Sequence, residues 1–328
     1  MLQLEPQNLL IQEAFGAAFS EDYQPITLDR IITDFDFTTY HISTPESKTK
    51  ILLSINIKCW PDLVEHGVLA LLAEKYAGFQ ILDQPEPGWD FSIYVDLETT
   101  NFGSEEAKSE AIENLSLLKR NCFAAPFLKA FARYEELSAQ QPPDPNNIYG
   151  EDSTNNSNEK VLQIHYRDAE SIFVKPSNDR VTVIFSTIFK DEQDKVFSKV
   201  FLQEFSDARK RSIQTAPQVI NSHKEPPLEI RHLIRETANA KDTSYITFVL
   251  FPRHLSTDDA KWNTITHIEL FRSYFHYHIK IVKCYLHQRM RYRVSGFMKV
   301  LNRARREHDD EELKAERKTA SGRRFEVR

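Results

Sequence analysis

The stretch STDDAKWNTITHIELFRSYFHYHIKIVKCYLHQRMRYRVSGFMKVLNRARR, residues 256–306, decides how the chain is organised. It contains no proline, because Pro252 is the last proline of the sequence, so nothing in it forbids a continuous helix. Its first four residues supply an N-cap and two carboxylates in the first turn, where the helix dipole favours negative charge. We therefore predict one long C-terminal helix of roughly 75 Å, at about 1.5 Å per residue.

The apolar residues of this helix form two stripes when they are placed at about 100° per residue. The front stripe consists of Ile265, Ile268, Phe271, Phe275, Ile279, Val282, Leu286, Met290, Phe297 and Leu301. The back stripe lies nearly opposite, consists of Leu270, Tyr274, Tyr277, Ile281 and Cys284, and turns polar after Cys284. The first half of the helix must therefore be covered on two sides, and the second half on one side.

The front stripe is longer than a domain of this size can cover, so its far part predicts contact with another chain. The expected subunit interface comprises Phe275, Ile279, Val282, Leu286, Met290, Phe297 and Leu301. We expect the chain to be an assembly subunit that is unstable alone, because an exposed apolar patch above a few hundred Å² is unusual for a monomer.

The charge of the chain is distributed unevenly. The 328 residues are 41% hydrophobic and 27% charged, which is ordinary for a globular protein, and the net charge is −6. Residues 1–252 carry 24 Lys and Arg against 38 Asp and Glu, whereas residues 253–328 carry 18 against 10. Residues 1–252 are therefore acidic overall, and residues 253–328, which we call the basic arm, carry a net positive charge.

Several classes of protein are disfavoured by the sequence. Cys59, Cys122 and Cys284 are single and far apart, which favours a reducing compartment over a disulfide framework or a zinc site. The N-terminus lacks the basic and apolar regions of a signal peptide, and no apolar run approaches the roughly 18 residues of a membrane span. We expect a soluble, intracellular protein with no membrane contact.

The segments before the long helix predict an α+β fold built from a repeated unit. The pattern of helix, three strands, helix, strands and helix occurs twice, with antiparallel sheets covered by helices. Predicted helices include 62–76 and 104–139, and the apolar run 196–205 is predicted as a strand. The expected divisions are two α/β domains at 1–120 and 121–255, the long helix at 256–312 and a flexible tail at 313–328. Residues 140–158, which have no periodicity, are expected to form a mobile and dispensable insert.

No motif indicates catalysis or a cofactor. The eight glycines form neither a dinucleotide-binding nor a P-loop pattern. His276 and His278 would point about 160° apart on a helix, so we interpret these two and His287 as interfacial histidines and not as metal ligands. Asp34 and Asp36 are interpreted as ordinary strand-edge acids, because no partner base or nucleophile is visible. We expect a protein that is not an enzyme and has no cofactor or metal.

The basic residues predict an acidic partner surface. Lys261 to Arg306 contain eleven Lys or Arg and one acid, Glu269, so the carboxylates that usually pair with surface cations at i,i+4 are missing. The candidate binding residues are Arg209, Lys210, Arg211, Lys283, Arg289, Arg291, Arg293, Lys299 and Arg303. Nucleic acid is the alternative acidic partner. The pI of about 6.0 and the apolar rows between the basic residues favour a protein partner and no nucleic acid.

The sequence also resembles a known family, that of subunit 2 (the 34-kilodalton subunit) of the actin-related protein 2/3 complex. The matching runs are LLKRNCFAAPF at 117–127, IHYRD at 164–168, DRVTVIFSTIFKD at 179–191, KVFLQEF at 199–205, TAPQV at 215–219, SHKEPPLE at 222–229, YITFVLFPRH at 245–254, YFHYHIK at 274–280 and KVLNRAR at 299–305. The resemblance is strong over about 115–306 and looser before it. The insert at 140–158 and the segment 232–240 depart from the family pattern.

This resemblance implies a non-catalytic subunit with two tandem α/β domains and a long C-terminal helix. The helix would pair with the helix of subunit 4 to form the core of the complex, which holds the two actin-related subunits and contacts the side of the mother actin filament. It also implies a cytoplasmic location in the actin cytoskeleton, in cortical patches or leading-edge networks. These implications agree with the assembly surface and basic arm predicted from the residues.

Overall fold

A computed structural model describes residues 4–20, 24–100, 102–140, 160–234 and 243–303 of the chain. Within these residues the chain forms two antiparallel five-stranded sheets with packed helices, followed by one long helix, so the predicted α+β fold is confirmed. The predicted insert lies outside the described residues except for Gln140, as do the tail and the last part, 304–312, of the predicted helix. The predicted domain limits remain predictions.

The first sheet has the strand order β1-β2-β3-β5-β4. Its strands are β1 (Asp29–Thr33), β2 (Thr38–Ser43), β3 (Lys50–Ile57), β4 (Gln80–Ile81) and β5 (Phe91–Asp96). Its helices are α1 (Leu9–Ala18), α2 (Trp60–Glu65), α3 (Val68–Lys75), α4 (Glu105–Ser116) and α5 (Leu118–Gln140). Strand β3 is buried on both faces, with Ile51, Leu53 and Ile55 on one face and Leu52 and Ser54 on the other.

The second sheet has the order β6-β7-β8-β10-β9, which repeats the order of the first. Its strands are β6 (Leu162–Ile164), β7 (Ile172–Pro176), β8 (Val181–Ile188), β9 (Gln218–His223) and β10 (Thr243–Leu250). Its helices are α6 (Glu192–Arg211), between β8 and β9, and α7 (Asp258–Arg303), which follows β10. Helix α5 packs against α3 and also against β7 and β8, so it contacts elements of both repeats.

Three local predictions are corrected by the structure. The run 196–205 is not a strand but the middle of α6, which begins at the Asp191 N-cap and buries Ser198 and Leu202, four residues apart, on one face. The predicted helix 62–76 is divided into α2 and α3 at Gly67, whose φ of 92° suits glycine. The predicted helix 104–139 is divided at Leu117, and strand β9 was not predicted.

The turn between β1 and β2 is strained and contains one buried side chain, that of Asp36. Asp36 and Phe37 both have positive φ angles, 60° and 56°, in the left-handed region that few side chains adopt. The carboxylate of Asp36 is buried and accepts hydrogen bonds from Arg167, which lies in the corresponding turn of the second repeat, at 2.8 Å from Nε. The interpretation of Asp36 as a strand-edge acid is therefore wrong, because the turn brings its carboxylate to a cation of the other repeat.

Asp36 is one member of a series of buried or mostly buried charges that begins and ends on α7, which we call the ion ring. Its members, in order around the ring, are Glu269, Lys119, Asp36, Arg167, Glu170 and Arg272, so that carboxylates and cations alternate. The first and last members are both on α7, one turn apart. The ring therefore joins the turns of both repeats, the start of α5 and the first half of α7.

The two residues that α7 contributes to the ion ring, Glu269 and Arg272, both make close contacts. Lys119 lies 2.8 Å from Glu269 and 3.7 Å from Asp36, and Arg272 donates to both oxygens of Glu170 at 3.0 and 3.2 Å. Burial alone would lower the pKa of Lys119, but the nearby carboxylates, Glu269 foremost, raise its pKa well above the usual value. Lys119 therefore remains a cation, whereas burial raises the pKa of Glu269 above its usual value.

Replacement of Lys119 tests whether the ion ring stabilises the fold. Lys119→Met leaves Glu269 and Asp36 buried without their shared cation, so the free energy of unfolding should fall by about 3–5 kcal/mol. Urea unfolding of the purified chain, or of a complex that contains it, measures this change. The control is Lys108→Met, which removes a surface pair with Glu105 and should cost about 0–1 kcal/mol. Equal losses in the two variants would show that the ring has no special role.

A second charged cluster ties the loop between β4 and β5 to the first sheet. His41 lies between two carboxylates, with Nε2 2.9 Å from Asp29 and Nδ1 2.9 Å from Glu86. Glu86 also accepts a 2.8 Å hydrogen bond from Ser54, and Trp89 stacks on the imidazole with a centroid distance of 5.4 Å. Burial alone would lower the pKa of His41, but the hydrogen bonds to Asp29 and Glu86 outweigh it, so the pKa is raised.

This raised pKa predicts a pH-dependent contribution to stability. A histidine with a raised pKa stabilises the fold fully below its ordinary value of 6.5, and the contribution is lost as the pH rises through the folded-state pKa. The wild type should therefore exceed His41→Gln in stability most clearly below pH 6.5, with the difference narrowing in alkaline buffer. Urea unfolding across this pH range measures the difference. Parallel pH profiles for the two proteins would contradict the prediction.

Candidate protein-binding surface on the C-terminal helix

Helix α7 is continuous from Asp258 to Arg303, as the sequence predicts for this stretch. Its first turn is capped by Thr257, whose side chain accepts a 3.1 Å hydrogen bond from the amide of Ala260. The chain divides into two compact units, residues 1–275 and the residues from 276 onward, so the helix belongs partly to each. The two parts of its front stripe have different surroundings.

The first part of the front stripe is covered by the chain's own side chains. Phe271 packs on Phe248 with a centroid distance of 4.6 Å, and Phe275 contacts Phe189 and Phe201 at about the 6 Å separation typical of edge-to-face rings. Phe275 is only 2% exposed, and Ile279, one turn further on, is only 1% exposed. The assignment of these two residues to the subunit interface stays a prediction, and their burial shows that they offer little accessible surface.

From Val282 onward the front stripe is accessible. Val282 is half-buried, whereas Leu286, Met290, Phe297 and Leu301 are exposed, with Met290 and Phe297 exposed by 63% and 64%. Further apolar side chains beside them, Val294, Met298 and Val300, are exposed as well. Extended exposed apolar patches of this kind mark protein or ligand contacts.

The predicted basic residues of the helix lie along the same exposed segment. Arg289, Arg291, Arg293, Lys299 and Arg303 are exposed, and Lys283 is half-buried. The segment contains no Asp or Glu between Leu270 and Arg303, and the last acid before it, Glu269, is bound in the ion ring. The exposed half of α7 therefore combines an apolar row with cations that have no acidic neighbours on their own helix.

The three basic residues at the end of α6 do not share one role. Arg209 is half-buried, donates a 3.1 Å hydrogen bond to the carbonyl of Ala216 and lies over the ring of Phe251, so it stabilises the loop after α6. Lys210 and Arg211 are exposed, and Arg211 lies 3.9 Å from Asp207. Binding of an acidic surface by these three residues stays a prediction, and only Lys210 and Arg211 are fully exposed for it.

Other kinds of site find no support in the described part of the chain. There, no group of three or more His, Cys, Asp or Glu side chains is placed to hold a metal ion. No described helix is long and apolar enough to cross a membrane. The exposed half of α7 is thus the strongest candidate surface that the described residues offer.

Two repeated α+β units and an exposed helix with an apolar stripe define a protein of the assembly-subunit class. A family model described as "Arp2/3 complex, 34 kD subunit p34-Arc" matches residues 53–308, and the chain belongs to this family. Proteins named "Actin-related protein 2/3 complex subunit 2" are similar to it along nearly the whole length. The one from Schizosaccharomyces pombe is 48% identical over 99% of both chains, and the one from Dictyostelium discoideum is 34% identical over 94% of both. The resemblance noted in the sequence is confirmed.

The sequence reasoning missed the ion ring. Lys119, Arg167, Glu170 and Arg272 were not singled out, because their partners lie far away in sequence, 131 residues in the case of Arg167 and Asp36. The only local signal was Glu269, because the presence of a single acid in an otherwise basic helix is not explained if that acid lies on an exposed face.

Proposed function

We propose that this chain is a non-catalytic structural subunit of an actin-related protein 2/3 complex. In this proposal its C-terminal helix pairs with subunit 4 to form the core that holds the two actin-related subunits, and its basic residues contact the mother actin filament when branched filaments are nucleated. The location would be the actin cytoskeleton, in cortical patches or leading-edge networks. Family membership supports the role in the complex, and the exposed half of α7 supports the two contacts.

The observation that carries the proposal is the composition of the exposed front stripe. Leu286, Met290 and Phe297 are the kinds of side chain that proteins bury, and here they follow directly on the buried Ile279 in the same stripe. A stripe that continues a core pattern into solvent indicates a surface that is permanently covered in the assembled state. Interfaces of obligate complexes have this apolar character.

Leu286→Asp tests the pairing. The substitution places a carboxylate in the covered stripe, which costs several kcal/mol, so the chain should no longer co-purify with subunit 4 when both are co-expressed. Gln288→Asp is the matched control, because it adds the same carboxylate about 160° away around the helix and should leave pairing intact. Normal co-purification of Leu286→Asp would contradict the pairing, as would a wild-type chain that is soluble and monomeric alone.

The filament contact is supported by the exposed cations that the apolar stripe leaves outside. Arg291 and Lys299 project away from the middle of the front stripe, and Arg303 lies near one edge of it. A partner on the stripe would leave these side chains accessible to a second, acidic surface. Exposed ion pairs contribute little individually and act mainly on association rate and salt dependence, so several must act together.

The combined variant Arg291→Glu, Lys299→Glu and Arg303→Glu tests the filament contact. If each exposed contact contributes about 1 kcal/mol or less, the three together should weaken binding of the complex to filament sides by roughly tenfold or more, while assembly stays normal. Co-sedimentation with actin filaments and counting of branches measure the effect. Lower salt should strengthen binding of the wild type more than that of the variant.

A matched control reverses three exposed cations elsewhere, Arg30→Glu, Lys48→Glu and Lys190→Glu, and so changes the net charge equally. This control should bind filaments like the wild type. If the helix variant and the control both branch at wild-type rates at every salt concentration, the basic row is a solvated face. Preference of the complex for an oligonucleotide over filaments at near-physiological salt would favour the nucleic-acid alternative.

A further inference from the structure

The front stripe of α7 repeats every eleven residues. From Phe271 onward its members fall into three series of positions eleven residues apart, and Arg293 occupies the last position of the first series. The series are Phe271, Val282 and Arg293; Phe275, Leu286 and Phe297; and Ile279, Met290 and Leu301. Eleven residues in three turns correspond to about 3.67 residues per turn, close to the 3.6 of a straight helix. The stripe therefore runs almost parallel to the helix axis, and it does not require the left-handed supercoil of a heptad repeat.

Arg293 is the only charged member of these three series. Its equivalents are Phe271, which packs on Phe248, and Val282. On the stripe its neighbours are Met290, three residues before it, and Phe297, four residues after it, both exposed by more than 60%. A partner that covers Met290 and Phe297 must also cover the stem of Arg293 and approach its guanidinium.

We infer that Arg293 selects the partner: the stripe fits a helix of a different chain that carries a carboxylate opposite Arg293 within its own apolar row. This inference rests on the proposed pairing of the stripe with another subunit and adds the chemistry of that partner. Arg293 fixes the register of the two helices and prevents two copies of this chain from pairing.

The shape of the stripe indicates a helix as the occupant. The exposed part from Val282 to Leu301 is one straight row of roughly 30 Å at about 1.5 Å per residue. Arg291 and Lys299 project from other sides of the same segment, so the exposed apolar side chains form a strip along one side of the helix. A second helix packs along such a strip by interlocking its side chains with those of the row.

The charge indicates a carboxylate in that helix. A guanidinium buried without a counter-charge strongly destabilises an interface, whereas a carboxylate satisfies it with two parallel hydrogen bonds. A second copy of this chain cannot supply that group from the same segment, because no Asp or Glu lies between Leu270 and Arg303. Self-pairing along the stripe would place cations against cations, so the arrangement disfavours the wrong partner as well as favouring the right one.

Two measurements on the full chain, co-expressed with the other subunits of the complex, test this inference. The first is co-purification. Arg293→Glu should weaken recovery of the complex by about a hundredfold, and Arg293→Met by about tenfold. Ser295→Met and Ser295→Glu, on another side of the helix, should have no effect. In co-expression of tagged and untagged copies, Arg293→Met should also recover the untagged copy, which the wild type should not.

The second measurement is zero-length cross-linking with a carbodiimide, which joins an amine to a carboxylate in direct contact. Arg293→Lys keeps the positive charge and supplies the amine. In the assembled complex this variant should form a cross-link from position 293 to an Asp or Glu within an apolar helix of one other subunit. Peptide mapping distinguishes this product from cross-links of the natural Lys283 and Lys299.

The outcomes separate this inference from the function on which it rests. If Leu286→Asp assembles normally, the stripe is not an interface and the proposed pairing fails together with the inference. If Leu286→Asp prevents assembly while Arg293→Met and Arg293→Glu assemble like the wild type and position 293 gives no cross-link, the pairing stands. The guanidinium then reaches solvent at the edge of the interface, and the inference is overturned.

Discussion

The alternating charges of the ion ring constrain how the two repeats and the C-terminal helix fit together. Asp36 and Glu170 each lie between two cations, and the two ends of the series, Glu269 and Arg272, are both on α7. Buried ion pairs often add little net stability, because removing charges from water offsets their attraction, but an unpaired member is costly. An arrangement of the repeats that separated one charge from its neighbours would therefore be disfavoured. The ring is best understood as a device that specifies one arrangement.

The two repeats carry opposite charges in the corresponding turns through which they contact each other. Both have the same strand order, and the turns after their first strands, β1 and β6, correspond in topology. The turn of the first repeat carries the carboxylate of Asp36, and the turn of the second carries Arg167, so equivalent positions supply opposite charges. The strained φ angles at Asp36 and Phe37 place the carboxylate where Arg167 reaches it. A repeated fold thus obtains a specific contact between its copies from charges of opposite sign.

Features that depend on local periodicity could be predicted from the sequence, and features that depend on distant contacts could not. The long apolar stripes of α7 identified that helix. The run 196–205 was mistaken for a strand because its apolar residues are dense enough to hide a helical period, and β9 follows Pro217 in a polar segment with no clear alternation. The exposed half of α7 was predictable from composition, since no acid follows Glu269 before Arg303. The ion ring was not, since its partners come together only in the folded chain.

One stripe on α7 serves two purposes because its repeat matches a straight helix. The front stripe is buried at Phe275 and again at Ile279, and the same pattern then continues with the exposed side chains of Leu286, Met290 and Phe297. Apolar side chains in such a row favour a permanent contact, since separation would return them to water. The flanking Arg and Lys side chains stay hydrated, and contacts made by exposed charges are weak and sensitive to salt. In the proposed complex, a contact made through the apolar row would therefore resist salt, and a contact made through the cations would weaken as salt rises.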